Sequence, residues 1–155
     1  TVPLPGVTLP GNVLSGLSIR RYESFESCPS RHRITTPDWQ RPYLDGGIHI
    51  LFKQAPDGSV VLGDSHEYAP VREAVRLDFA LRNDLNALIL REAQRMMAFP
   101  TWSIQTYWAG YYSQTPDGGA FTRTIDDRIH VATGIGGKGM TTAPAFAREC
   151  VEGMG

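Results

Sequence analysis

The segment Gly134-Ile135-Gly136-Gly137-Lys138-Gly139-Met140-Thr141 constrains this chain more than any other. It follows the apolar run Ile129 to Thr133 and leads directly into a helix-like stretch. Strand, glycine loop, helix is how a backbone is brought against an anionic or electron-rich group. The glycines remove side-chain bulk, and the N–H groups at the helix start lack intrahelical partners and point at the ligand. Taken literally, the loop fits G-x-G-x-x-G through Gly134, Gly136 and Gly139. A full dinucleotide fingerprint also needs a second strand and an acidic residue roughly 20 residues further on. Only 16 residues follow Gly139. The loop is therefore either one half of a two-part site or no nucleotide site at all. With Thr1 rather than Met at its start, the sequence is expected to be a piece of something longer.

Composition narrows the partners. A length of 155 residues suits one domain with a real core, and 41% hydrophobic and 20% charged residues are ordinary for a soluble globular protein. A net charge of −1 gives no electrostatic case for nucleic acid, and no Lys/Arg block suggests an anionic membrane. No apolar run approaches the roughly 20 residues of a membrane span, so a cytoplasmic location is the default. Cys28 and Cys150 are far apart and form no C-x-x-C, which favours buried free thiols over a disulfide. The four histidines, His32, His49, His66 and His130, fall at no metal-ligand spacing, so no metal is expected. Gly63-Asp64-Ser65-His66-Glu67 is not a G-x-S-x-G elbow, which argues against a serine hydrolase.

Pattern sets the expected elements. Residues 1–13 are rich in Pro and Gly and read as an extended lead-in. Leu14 to Glu23 reads as a strand carrying Ile19 and Tyr22. Residues 26–46, with Pro29, Pro37 and Pro42, read as a long irregular connection. Ile48 to Lys53 and Val60 to Gly63 flank Ala55-Pro56-Asp57-Gly58, a strong hairpin signal. Leu85, Leu88, Ile89, Ala93 and Met96 recur at helical spacing over about 83–97, ahead of Pro100. Ser103 to Tyr112 alternates and is aromatic-rich, hence a strand. A turn at Thr115-Pro116-Asp117-Gly118-Gly119, a last strand, the glycine loop and a helix from about Thr142 to Val151 complete the order. Strands, helix, strands, helix predict an α+β fold with an antiparallel or mixed sheet and flanking helices.

Four ordered segments resemble the C-terminal part of the D-amino-acid-oxidase-like family of FAD-dependent amine oxidoreductases. They are the hairpin ending in Leu62-Gly63-Asp64-Ser65-His66-Glu67, the long helix, Trp108-Ala109-Gly110 followed by Thr115-Pro116-Asp117-Gly118, and Val131-Ala132-Thr133 running through the glycine loop to Thr141. The resemblance covers most of residues 15–152 and implies a fragment of a two-domain flavin fold. Residues 14–128 would form the substrate-domain-like sheet and helix, and 129–155 the part contributing to the FAD-binding domain. It implies FAD as cofactor, contacted by Gly134, Gly136, Gly137, Lys138, Gly139, Met140 and Thr141, with the ADP-gripping fingerprint on an N-terminal FAD-binding segment not seen here. Lys138 would offset charge on the reduced flavin, or stand as a solvated loop lysine. Without that segment the chain is expected to bind FAD weakly and to expose an apolar docking face.

The departures bear on the substrate. Many members carry Arg-Pro shortly after Trp-x-Gly, and others a lysine two residues after the loop's last glycine. Both hold a substrate carboxylate. Here Trp108-Ala109-Gly110-Tyr111-Tyr112-Ser113 and Thr141 occupy those places. The combination of Gly-Asp-Ser-His-Glu-Tyr with Trp-x-Gly-Tyr-Tyr looks most like a bacterial subgroup associated with aminophosphonate breakdown. The substrate implied is a small amine, an aminophosphonate or N-methylated amine, oxidised by hydride transfer to flavin. His66 would orient the amine or bind an anionic group, or make a structural hydrogen bond. Tyr112 would line the pocket, or pack as a sheet aromatic like Tyr111. His49 and Lys53, four apart on one strand, would share a face, and one of them would approach the flavin. The competing function is a non-catalytic small-molecule or anion-binding module that lacks the nucleotide domain.

Overall fold

The computed structural model describes residues 1–21, 25–78 and 80–154. The chain divides into two compact units, Thr1–Ala109 and Gly110–Gly155. The fold class is α+β, as the element order predicts.

The first unit is organised by a hairpin. Strands β2 (Leu51–Gln54) and β3 (Val60–Gly63) pair antiparallel from Gln54↔Val60 to Leu51↔Gly63, and β1 (Val13–Leu14) adds to the other edge of β2. The turn closes for the expected reason. Gly58 takes φ +83°, and the Asp57 carboxylate accepts hydrogen bonds from the Ser59 amide (2.9 Å) and hydroxyl (2.7 Å). Phe52 and Val60 are fully buried on one face of the sheet. Helix α3 (Asn83–Met96) lays Leu85 and Ala93 into the same core, with Leu88, Ile89 and Met96 packed around them. Burial of Phe52, Val60 or Leu85 stabilises the unit by about 1.5–3 kcal/mol each relative to exposure.

Two expectations for this unit are corrected, and a third is extended. The strand over 14–23 is β1 followed by helix α1 (Gly16–Arg21), and Tyr22 and Glu23 lie outside the described residues. Leu17 and Ser18 are both buried while Ile19 is exposed, and burial of adjacent residues suits a helix turn rather than an alternating strand. The irregular connection ends in two helical pieces, a 3-10 turn Asp38–Gln40 and helix α2 (Arg41–Asp45), with Pro42 in the first turn, where its missing N–H is harmless. Arg20 fastens this stretch to α1 by donating to Gln40 Oε1 (2.6 Å), Thr36 Oγ1 (3.2 Å) and the Thr35 carbonyl (2.9 Å). The lead-in belongs to the core. Leu4 is buried, and the Gln54 side chain clamps the backbone of Val7 and Leu9 at 2.9 and 2.8 Å.

The second unit contains a hairpin and a helix. Strands β4 (Phe121–Ile125) and β5 (Ile129–Thr133) pair antiparallel through Asp126-Asp127-Arg128, of which the two aspartates take φ of 51° and 52°. Two consecutive left-handed residues make the turn whose twist matches the strands, and Asp tolerates that region better than most. Helix α4 (Gly139–Glu152) starts earlier than Thr142 and is entered through a 3-10 turn at Gly136–Lys138. The strand expected over 103–112 is absent. Within that segment the described backbone joins no ladder, and Tyr107, Trp108, Tyr111 and Tyr112 are all exposed. Aromatic alternation supplies a face, but a strand also needs a neighbour for its amides. The cysteines are both free, but neither is buried as expected: Cys28 is exposed in a turn region off the core, and Cys150 is half-buried.

Candidate functional site

Helix α2 ends at Gly46-Gly47, and Gly47 takes φ +59°. A Cβ there would stand 2.6 Å from the His66 carbonyl oxygen, so only glycine lets the two backbones approach. The chain then enters the hairpin, where its register decides the site. Continued without interruption, Leu51↔Gly63 would set Ile50 against Asp64 and His49 against Ser65. Instead His49 and Asp64 exchange both backbone hydrogen bonds, at 3.1 and 2.7 Å. Ile50 is the extra residue of a bulge, and it bonds on its other side to Ser15, whose amide donates to its carbonyl (2.8 Å) and whose Oγ accepts its amide (3.0 Å). The bulge carries His49 onto the face of Asp64, and His66, two residues beyond Asp64, shares that face.

Three side chains therefore converge. His49 Nε2 lies 2.6 Å from Asp64 Oδ1, and His66 Nε2 lies 3.0 Å from Asp64 Oδ2. The two imidazoles stack at 5.5 Å with an angle of 20°, and Tyr68 also stacks on His66, at 6.2 Å. Ser18 Oγ of α1 is 3.3 Å from His49 Nδ1. His49 is 5% exposed, whereas the Asp64 side chain is half-exposed. Burial by itself would raise the Asp64 carboxyl. The hydrogen bonds and positive charge of His49 and His66 outweigh it and hold Asp64 well below the usual carboxylate range. Next to His66, Glu67 Oε1 accepts from Arg82 at 2.5 Å, and Arg82 also binds Asp84 in the first turn of α3, which anchors this segment to the helix.

The second unit holds the glycine loop. Gly134 and Gly136 take φ of 76° and 67° and are buried. A Cβ on Gly134 would meet Thr115 Cγ2 at 2.9 Å, one on Gly136 would meet Gln114 Oε1 at 3.1 Å, and one on Gly137 the Tyr112 hydroxyl at 3.3 Å. The segment 112–115 thus lies directly on the loop, joined by the Gln114↔Ile135 bridge and by the Gly136 amide donating to the Ser113 carbonyl (3.1 Å). Lys138 Nζ donates to the Gly118 carbonyl, so the loop lysine is tied to the 115–119 turn. Hydrogen bonds from Thr115 and the Gly119 amide, with Lys138 nearby, keep Asp117 below its ordinary range. Gly139, Met140 and Thr141 form the first turn of α4, with Met140 almost fully exposed.

Residues 13–152 match the family described as DAO, FAD dependent oxidoreductase. The chain belongs to this FAD-dependent oxidoreductase family. It is also similar to mouse FAD-dependent oxidoreductase domain-containing protein 1, with 28% identity over 159 residues, covering 97% of this chain and 31% of that protein. The chain thus spans about a third of the length of that relative. No solved structure matches. Among the described residues, no helix is long and apolar enough to cross a membrane. The family's cofactor is FAD. The loop suits such a group, because its exposed Gly137 and Lys138 stand at the start of α4, where the helix favours negative charge.

Of the residues singled out in the sequence, the structure brings His49 and His66 together, and puts Tyr112 in the second unit against Gly137. His49 and Lys53 do not share surroundings. α1 covers His49 through Ser18, while Lys53 is exposed. His32 is occupied with the Glu26 carbonyl (2.8 Å), and His130 with Thr124 (2.9 Å). Asp64 carried no role in the sequence. Its place two residues before His66, in the chain leaving β3, is the available signal. The histidines fall at no local ligand spacing, and hairpin pairing supplies for His49 and His66 the proximity that spacing lacks.

Proposed function

We propose that this chain is the substrate-side and flavin-contacting portion of an oxidoreductase that oxidises a small amine, an aminophosphonate or N-methylated amine. The observation that carries this reading is the seating of Tyr112, Gln114 and Thr115 on Gly137, Gly136 and Gly134, within a family match that spans residues 13–152. Bound FAD supplies the hydride acceptor. Gly134 to Thr141 offer it a surface without side-chain bulk, and Lys138 with the start of α4 favours negative charge there.

On the substrate side, His66 orients the amine nitrogen. His49 holds Asp64 in place and Asp64 holds His66, so the imidazole meets its substrate in a fixed pose. Tyr111 and Thr141 stand where other members carry a cationic carboxylate clamp, which supports an amine without an α-carboxylate. The test uses the native, FAD-loaded protein, mixed anaerobically with N-methylated amines, aminoalkylphosphonates and α-amino acids. Bleaching of the flavin's visible band by the first two classes, and not by the third, is expected. His66→Ala should lower kcat/KM by about 100-fold, in the range of a positioned acid–base or orienting group. Bleaching by α-amino acids alone would remove the substrate assignment.

A further inference from the structure

We propose that His49 Nε2, His66 Nε2 and the Asp64 carboxylate form a three-ligand site for a divalent first-row transition cation. The donors already converge, one atom from each residue lying within 4.8 Å of the others. In a tetrahedral site with metal–ligand bonds of about 2.1 Å, donors stand about 3.4 Å apart, so modest rotations of the side chains suffice. Two imidazole nitrogens and one carboxylate oxygen suit zinc, cobalt or ferrous iron and leave open positions for an exogenous ligand.

The surroundings favour the same assignment. Ser18 Oγ beside His49 Nδ1 can accept that nitrogen's proton, which leaves the lone pair on Nε2, the tautomer a cation needs. The backbone fixes the three ligands independently of any ion, through the His49–Asp64 pair at the bulge and the close approach of Gly47 to the His66 carbonyl. The buried ring of His49 is the fixed element, and the half-exposed Asp64 is the arm that swings to admit the cation. The inference goes beyond the oxidoreductase reading, because no flavin takes part in it.

The test is a titration of the chelator-stripped chain with Co2+ and then Zn2+. One equivalent of Co2+ should bind with visible ligand-field bands, and Zn2+ should displace it. In the wild-type chain, Zn2+ should move the imidazole resonances of His49 and His66 while those of His32 and His130 stay. Asp64→Asn and His66→Ala should each weaken binding by at least about tenfold, and His130→Ala should leave it unchanged. Absence of stoichiometric Co2+ or Zn2+ binding, or shifts spread over all four histidines, would overturn the site. The wild-type shifts decide the matter even if a variant fails to fold. Cation binding is read here without flavin or amine, so its failure leaves the flavin-bleaching test of the oxidoreductase reading standing on its own.

Discussion

The two units are built on different physics. In Thr1–Ala109 the sheet, α2 and α3 close on Leu4, Leu17, Tyr43, Ile48, Ile50, Phe52, Val60, Leu85 and Ala93, all buried. In Gly110–Gly155 no residue of α4 is buried, every residue of β4 is exposed, and Phe121, Ile129 and Val151 show much of their surface. What defines the second unit is backbone: a ladder, a turn with two left-handed residues, and glycines pressed against residues 112–115. A core gives a unit its own stability, whereas a ladder and tight turns give it shape with little apolar burial. The candidate polar cluster stands in the unit with the core, where neighbours can hold it rigid. The candidate cofactor loop stands in the other.

The contrast can be broken first at Phe52, which packs edge-on against Phe99 at 5.9 Å. Phe52→Ala should lower the stability of the first unit by about 3–5 kcal/mol. Hydrogen exchange should then accelerate over β2, β3 and α3 and stay unchanged over α4. Simultaneous loss over α4 would show that the units do not unfold independently. Val151→Ala, at a side chain 66% exposed, should by comparison shift stability by no more than about 0.5 kcal/mol.

Glycine substitutions sharpen the comparison. Gly47→Ala combines a left-handed backbone with a 2.6 Å clash on the His66 carbonyl, and should cost about 1–3 kcal/mol. It should also displace the His66 imidazole resonances. Gly134→Ala meets Thr115 Cγ2 at 2.9 Å. It should cost about 1–2 kcal/mol, confined to exchange in the hairpin and at the α4 start.

Acid comes next. Asp64 has a folded pKa below its unfolded value, so its contribution is complete above about pH 4 and is lost as pH falls from there toward the folded pKa. Denaturant midpoints of the first unit should therefore decline below that pH, and Asp64→Asn should flatten the decline. An unchanged acid limb in Asp64→Asn would remove the ion pairs from the stability of this unit. The smallest effect is expected at the β4–β5 turn. Asp127→Gly relieves a left-handed residue at φ 52° and should slow local exchange by the equivalent of about 0.5 kcal/mol.

Much of this architecture was written locally. Asp57-Gly58 announces its hairpin, the spacing of Leu85, Leu88, Ile89 and Ala93 announces α3, and the glycines of 134–139 announce a close approach of backbone. Each of these signals concerns neighbours in the chain, where φ preferences and periodicity act. The errors arose where distant partners decide. Ser103 to Tyr112 has the composition of a strand and no ladder to join. Leu14 to Glu23 has the composition of a strand, but Leu17 and Ser18 are covered together, which only the neighbours of α1 decide. Asp126-Asp127 conceals a hairpin turn, since aspartate signals a left-handed turn less strongly than Asn-Gly.

The sequence by itself determined the α+β class, the glycine loop and the kinship with FAD-dependent oxidoreductases, because these rest on local conformational preference and on motif order. Only the tertiary structure decided that His49, Asp64 and His66 meet. Strand parity in the uninterrupted register would put His49 on the face opposite Asp64 and His66. One extra residue, Ile50, held by Ser15 from a different strand edge, reverses that parity. A bulge is stabilised by the partner that takes up the displaced hydrogen bonds, and that partner lies 35 positions away in the chain.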